Sequence, residues 1–285
     1  MKYTALIGNP TEHSVSHIMY EELVKIAVPG QSYKHIKINV TDDDLAKTVN
    51  ALQELHFAGL NVTLPHKLSV IPLLDTVDET VKELGAVNTI KFGHSTTGHN
   101  TDWVGIHKPV AALGCEIKTV TIFGTGGAAR AAIYVAKRLG ARKIFVHYRN
   151  EANDAKTEDL KNRADALGIE LHRYDRVREN IDVSDLVINA TSAGMVGKDE
   201  VPFDLAQIAG LSVTEKIYFD AVFNPLETPL LRNFNEQGAH TIDGLWMMIY
   251  QGIAALEIWL DRKIEIEDSL LKDIHNQLTK ELAHV

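Results

Sequence analysis

The sequence predicts an α/β chain folded as two domains. Three observations carry this. Strand-like and helical signals alternate through the first hundred residues. A β-branched and aromatic run, Thr119–Phe123, leads straight into a glycine-rich turn and an alanine-rich helix. The most apolar helix, after Gly244, has no adjacent sheet in sequence and is expected to pack back on the first domain. The expected division is residues 1–102 with 245–285, and residues 103–244 between them. A length of 285 residues with 45% hydrophobic and 24% charged side chains suits this organisation and excludes disordered and low-complexity classes.

In the first domain, Tyr3 to Ile7 reads as a strand ended by Gly8-Asn9-Pro10. Ser16 to Ala27 carries helical apolar spacing through Ile18, Met19, Leu23 and Ile26. Tyr33 to Val40 alternates polar and apolar residues. Thr41 is expected to cap a helix running to about Leu55, with Asp42, Asp43 and Asp44 at its positive end. Gly59 to Val62 and Ala86 to Phe92 are the next strands, followed by a polar loop from His94 to Asn100. The alternation implies a largely parallel sheet with crossover connections.

In the second domain, Thr119–Phe123 precedes Gly124-Thr125-Gly126-Gly127-Ala128-Ala129, and the helix that follows stops at Gly140. Lys143 to His147, Asp185 to Asn189, Ile217 to Ala221 and His240 to Ile242 supply further strands, and Asn150 to Leu167 reads as a solvated helix. Gly124-x-Gly126-x-x-Ala129 is the dinucleotide fingerprint in its Gly/Gly/Ala form. The first glycine permits the turn, the second admits the pyrophosphate, and the small third residue lets helix and strand pack closely. The strand before and the helix after it supply the context that the pattern requires. At the end of the next strand, where an NAD site carries an acid, this chain has Arg149. Its guanidinium suits a 2′-phosphate and favours NADP, with Glu151 or Asp154 as alternative ribose partners that would suit NAD.

A net charge of −9 argues against nucleic-acid binding, and the basic residues Lys161, Arg163, Arg173, Arg176 and Arg178 are interspersed with acids. Cys115, the single cysteine, forms no disulfide framework. Leu245 to Leu260 is broken by Gln251, Gly252 and Glu257, short of the roughly 20 residues of a spanning helix. No signal peptide or membrane anchor is expected, which points to a cytoplasmic protein. The histidines show no metal-ligand spacing, so no metal is expected, and His94 and His99 read as solvated. Trp246, Met247, Met248, Ile258 and Trp259 read as core or a domain interface. Taken alone, Lys67 reads as a surface lysine and Asp102 as a helix cap; a catalytic pairing of the two is the alternative.

The polar motifs resemble those of the shikimate dehydrogenase family, in order and along nearly the whole chain. They are Gly8-Asn9-Pro10 with His13-Ser14-Val15-Ser16, then Gly59 to Lys67, Gly85-Ala86-Val87-Asn88-Thr89 and Asn100-Thr101-Asp102-Trp103-Val104-Gly105. Gly124 to Arg130, Asn189 to Met195, Asn224 to Leu231, and Gly244 with Gln251-Gly252 complete the set.

This resemblance implies an N-terminal α/β substrate domain completed by C-terminal helices, and a Rossmann-type dinucleotide-binding domain. The implied activity is reversible NADP-dependent reduction of 3-dehydroshikimate to shikimate, in the biosynthesis of aromatic amino-acid precursors. Lys67 and Asp102 would be the catalytic pair. Ser14 and Ser16 would bind the substrate carboxylate, and Asn61, Thr63, Asn88 and Gln251 the ring hydroxyls. Gly124, Gly126, Gly127, Ala128, Ala129, Arg149, Thr191, Val222 and Gly244 would form the cofactor site. Two positions depart from the family pattern: His17 stands where proline is frequent, and Phe223 where tyrosine is. The second removes a hydroxyl and leaves quinate as an alternative substrate. An NAD-dependent quinate/shikimate dehydrogenase and a non-catalytic nicotinamide-responsive module are the rival readings. A monomer or homodimer fits either.

Overall fold

The computed structural model describes residues 1–149, 155–198 and 201–283. The chain divides into two compact units: Met1–Gly105 together with the stretch from Met248 onward, and Ile106–Met247.

The first unit begins with β1 (Lys2–Gly8), α1 (Ser16–Ala27), β2 (Tyr33–Asn39), α2 (Leu45–Glu54) and β3 (Gly59–Val62). It continues through β4 (Thr76–Val77), α3 (Glu79–Leu84), β5 (Thr89–Lys91), β6 (Thr97–His99) and the start of α4 (Asp102–Ala111). Its sheet has the order β2-β1-β3-β5-β6-β4 within the described residues. The expectation of a largely parallel sheet needs correction. β1 runs parallel to β2 and β3, and β4 to β6, but β5 is antiparallel to both β3 and β6. The short link between β5 and β6 allows only a hairpin, because a parallel return needs a crossover of a dozen residues or more.

The strand expected over Ala86–Phe92 shrinks to Thr89–Lys91. Its early residues bond elsewhere: Val87 N–H donates to the Lys67 carbonyl (2.8 Å) and Asn88 N–H to that of His99 (3.1 Å). α2 starts at Leu45 rather than after Thr41. Asp42–Asp44 form a turn, and the Thr41 hydroxyl donates to Asp44 Oδ2 (3.0 Å) instead of capping the helix. His99 is not in a solvated loop: it lies on β6, with Nδ1 2.8 Å from Asp78 Oδ2.

The second unit contains β7 (Thr119–Phe123), α5 (Gly127–Arg138), β8 (Lys143–Tyr148), α6 (Ala155–Leu167), β9 (Glu170–Arg173), α7 (Val177–Val183) and β10 (Leu186–Asn189). β11 (Ile217–Asp220), α8 (Pro229–Glu236) and β12 (His240–Ile242) complete it. The pairings are all parallel, in the order β12-β11-β10-β7-β8-β9. Such strands are covered on both faces and read as near-continuous apolar runs, as in buried Leu186–Ile188 and in Val120–Phe123, broken only by buried Thr121. Half of the buried residues of α5 are alanine (Ala129, Ala131, Ala132, Ala136). α8 has Pro229 in its first turn and Thr228 as its cap, whose hydroxyl accepts from Leu231 N–H (3.1 Å). The basic cluster is tied down in part: Arg178 donates to the Gln207 and Ala209 carbonyls, and Arg176 pairs with Glu179.

α9 (Gly244–Leu260) leaves the second unit and enters the first, and α10 (Asp268–Leu282) follows. Trp259, near the end of α9, is buried, and its indole N–H donates to the Ile90 carbonyl on β5 (2.9 Å). On the first sheet, Ala5, Ile7, Leu60, Val62 and Ile90 pack with Leu45, Val49 and Leu52 of α2. Among the described residues, no helix is long and apolar enough to cross a membrane.

Candidate active site

β3 ends at Val62, and the chain turns through Thr63-Leu64-Pro65-His66 to present Lys67. The turn is fixed at several points. Thr63 N–H donates to the Ile7 carbonyl (2.9 Å), and the buried His66 ring places Nε2 2.7 Å from the Val40 carbonyl. Lys67 Nζ donates to Asp102 Oδ2 at 2.6 Å, with the two side chains 14% and 5% exposed. Asp102 is the first residue of α4, and it does not serve as that helix's cap. Its second oxygen accepts from Asn88 Nδ2 at 2.8 Å.

The orientation of Asn88 is dictated by its surroundings. Thr101 N–H can only donate, and it donates to Asn88 Oδ1 (2.7 Å), so the amide nitrogen must face Asp102. Gln251 closes the far side: its Oε1 lies 3.4 Å from both Asn88 Nδ2 and Thr101 Oγ1, and its Nε2 donates to the Met248 carbonyl. Asn61 enters from β3, donating to the Asn88 carbonyl and to Thr89 Oγ1, both at 3.3 Å. Lys67, Asp102, Asn88, Gln251 and Asn61 therefore form one hydrogen-bonded network. A buried ammonium–carboxylate pair held by amides on either side is an arrangement that can hold and pass a proton.

Ser14, Ser16 and Thr63 do not join that network. Ser14 Oγ accepts from Ser16 N–H (3.2 Å), while the buried Ser16 Oγ has no protein partner. Lys37 on β2 donates to the Glu12 and Ser14 carbonyls (2.8 and 2.9 Å) and brings a cation to this segment. Sequence reasoning missed Thr101, Tyr20 and Lys37. Thr101 carried a signal, since it is flanked by Asn100 and Asp102; Tyr20 and Lys37 carried none, the one lying in an apolar helical stretch and the other on an alternating strand.

In the second unit, the turn after β7 has the shape that a dinucleotide needs. Gly124 has φ +115, and a Cβ there would lie 2.9 Å from the Ala190 carbonyl oxygen, so only glycine fits without strain. Gly126 caps α5 without a side chain, and a Cβ on it would meet nothing within 4 Å. Gly127 begins the helix and Ala129 is fully buried, with Ala128 half-buried between them. Backbone N–H groups at an open helix start suit a pyrophosphate. Arg149 follows β8 and is exposed; Glu151 and Asp154, the alternative ribose partners, lie outside the described residues.

The loops after β10 and β11 are tied to one buried carboxylate. Asp220 accepts from Asn189 Nδ2 (3.0 Å), Val222 N–H (3.0 Å), Tyr218 Oη (2.8 Å) and Thr228 Oγ1 (2.7 Å). Asn189 Oδ1 in turn accepts from the Thr191 N–H and hydroxyl. Gly244 abuts this strand end, where a Cβ would lie 2.4 Å from the Val222 carbonyl oxygen. Burial pushes the Asp220 carboxyl up to about 6 despite its four donors.

Two histidines are buried neutral. Burial lowers His35 to about 3, and His147 to about 4. His147 is held between the Arg173 carbonyl at Nδ1 and the Asn180 amide at Nε2, which suits a single-proton ring. Each binds its second proton more readily unfolded, so its contribution is full above about pH 6.5 and is lost as pH falls through the folded value. Asp220 has the opposite sign: its contribution is full below about 4 and lost as pH rises through about 6. In the second unit His147 and Asp220 offset each other between pH 6 and 4, whereas His35 in the first unit has no such counterweight. The half-buried His17 and His107 shift the same way, one in each unit. Acid should therefore loosen the first unit first, by about 1.4 kcal/mol per pH unit. Segment-resolved amide exchange at pH 7 and 4.5, corrected for intrinsic rates, checks this; equal loosening of both units would contradict it.

With this geometry in place, comparison with known proteins is decisive. The family profile described as "Shikimate dehydrogenase substrate binding domain" matches residues 6–90. A shikimate dehydrogenase (NADP(+)) of Methanosphaera stadtmanae is 36% identical over 261 residues, covering 90% of each chain. The chain belongs to the shikimate dehydrogenase family. A shikimate dehydrogenase solved in complex with NADP+ superposes with a TM-score of 0.82 at 33% identity, over 96% of this chain and 94% of that one. The shikimate 5-dehydrogenase of Listeria monocytogenes, solved with shikimate and NAD, gives 0.82 at 29% identity and 96% coverage of both. Among the described residues no cluster of three or more His, Cys, Asp or Glu side chains could hold a metal ion.

Proposed function

We propose that the chain catalyses the reversible NADP-dependent reduction of 3-dehydroshikimate to shikimate, a step toward aromatic amino-acid precursors. The observation that carries this reading is the 2.6 Å Lys67–Asp102 pair, braced by Asn88 and surrounded by short polar side chains rather than an apolar pocket. A polyhydroxylated acid requires directional hydrogen bonds of this kind. When bound, NADP supplies the hydride acceptor or donor. Gly124, Gly126 and Gly127 would hold its pyrophosphate, with Ala128 and Ala129 in the first turn of α5. Arg149 would take the 2′-phosphate, and Thr191, Val222 and Gly244 would line the nicotinamide end.

In the oxidative direction, Lys67 in its neutral amine form takes the proton of the ring hydroxyl and becomes the ammonium; in reduction the ammonium returns that proton. Asp102 holds the lysine and the substrate hydroxyl in register. Asn88 keeps one Asp102 oxygen engaged, so that the other faces Lys67. Asn61, Thr63 and Gln251 engage the remaining ring hydroxyls, and Ser14 and Ser16 the carboxylate. The unpartnered Ser16 hydroxyl and the nearby Lys37 ammonium support that last assignment. Met1–Gly105 with the residues from Met248 would be the substrate unit, and Ile106–Met247 the NADP unit, in a cytoplasmic monomer or homodimer.

The test is a matrix of initial rates for shikimate and quinate, each with NADP and NAD. Shikimate with NADP is expected to give the highest kcat/KM; a higher value for quinate with NAD would replace this reading with its nearest rival. Arg149→Ala should raise the KM for NADP about tenfold and leave that for NAD within twofold, the loss of a charged phosphate contact. An unchanged NADP/NAD ratio would remove Arg149 from the cofactor site.

A further inference from the structure

Tyr20 projects from α1 and is completely buried, its ring centroid 4.5 Å from that of His35 and 5.3 Å from that of Trp259. Nothing in the proton-transfer step uses it, yet its hydroxyl makes a short bond, donating to Asn61 Oδ1 at 2.7 Å. The direction of that bond follows from its neighbours. Asn61 Nδ2 faces the Asn88 carbonyl, which can only accept, so the amide oxygen is the atom turned toward Tyr20. Burial raises the phenol well above its ordinary value and keeps its proton in place as a donor.

From Asn61 the row continues to the reacting centre. Asn61 Nδ2 donates to Thr89 Oγ1 (3.3 Å), Thr89 to Asn88 Oδ1 (3.0 Å), and Asn88 Nδ2 to Asp102 Oδ1 (2.8 Å). The bonds on the nitrogen side of Asn61 are long, and the one from Tyr20 is short. An amide turned by half a revolution has nearly the same shape, so the short bond at the oxygen reinforces an orientation that the two long bonds at the nitrogen hold only weakly.

We infer that Tyr20 is a positioning residue for the substrate: without touching the ring, it fixes the orientation of Asn61, the amide assigned to the ring hydroxyls. This rests on the assignment of Asn61 as a ring-hydroxyl contact. Without the phenol, Asn61 Oδ1 is left buried with no donor, and only the two 3.3 Å bonds on its nitrogen side hold the amide's orientation.

The experiment compares the unaltered enzyme, Tyr20→Phe, Asn61→Ala and the double variant by steady-state kinetics with shikimate and NADP. Tyr20→Phe keeps the ring and its packing. It is expected to raise the KM for shikimate about tenfold, lower kcat less than threefold, and leave the KM for NADP unchanged. In the Asn61→Ala background the same change should add less than a factor of two. Tyr20→Met, which also fills the space without a hydroxyl, should reproduce the KM rise and covers the case in which Tyr20→Phe folds poorly. A shikimate KM within twofold of the unaltered enzyme, or effects of the two substitutions that simply multiply, overturns the inference. Failure of the unaltered enzyme to turn over shikimate overturns the substrate reading itself, and this inference with it.

Discussion

Lys67→Ala is expected to lower kcat for shikimate oxidation by roughly 10²–10⁴-fold, with a much smaller change in the KM for shikimate. The lysine reaches the reacting hydroxyl as a proton carrier, so its loss falls on the transition state more than on substrate binding. The binding groups Asn61, Asn88 and Gln251 are held by one another and by Thr101, and their hydrogen bonds do not pass through the ammonium. Removing the ammonium leaves a 5%-exposed carboxylate without its counter-charge, so a loss of thermal stability should accompany the loss of turnover. Stopped-flow or steady-state assays on folded protein, verified by circular dichroism, decide the matter. Full turnover in Lys67→Ala would end the proposed proton path.

Gly124→Ala is expected to raise the KM for NADP by roughly ten- to a hundredfold, corresponding to about 1–3 kcal/mol of backbone strain. At φ +115 an alanine is strained before any contact is counted, and its Cβ would press on the Ala190 carbonyl and the Thr191 methyl. The turn must shift, and it carries the N–H groups of the first turn of α5 with it. Gly126→Ala is the informative contrast. Its φ is −79, and the added methyl meets no protein atom, so folding stability should be kept while the methyl occupies the space in front of the helix. A melting temperature lowered in Gly124→Ala but unchanged in Gly126→Ala, with NADP binding weakened in both, is the expected pattern. Unchanged NADP affinity in both variants would remove this turn from the cofactor site.

Much of the fold was legible because its strands are long enough to show a period. β2 alternates, β7 is a continuous run of β-branched and aromatic residues, and β10 opens on the aliphatic run Leu186–Ile188. What escaped notice were elements whose existence depends on their neighbours. Thr97-Gly98-His99 has no apolar pattern, yet it is a strand because β5 and β4 pair with it on either side. Glu170–Arg173 is a polar edge strand defined by its ladder to β8. The antiparallel pairings of the first sheet are those of β5 alone, where alternation along the chain pointed to a parallel strand; β1, β2 and β3 pair in parallel as expected. The glycine fingerprint could be placed because it is local. Lys67 and Asp102, by contrast, lie 35 residues apart, and spacing alone left them a surface lysine and a helix cap. Family resemblance suggested that they meet; the side chains lie within hydrogen-bond reach because Val87 N–H holds the Lys67 carbonyl and Asn100 Oδ1 holds the Asp102 N–H.

The first unit is assembled from two stretches separated by the whole of Ile106–Met247. On a translating ribosome, the intervening stretch emerges before Met248 does, so its parallel sheet can close while the outer unit is still missing α10 and most of α9. Until Trp259 arrives, the Ile90 carbonyl lacks its indole donor, and Tyr20 and His35 lack the tilted ring that packs beside them. Nascent chains stalled with residue 247 just outside the ribosome should accordingly carry a protease-resistant centre and a cleavable beginning, with protection of the beginning gained only once the last two helices have been released.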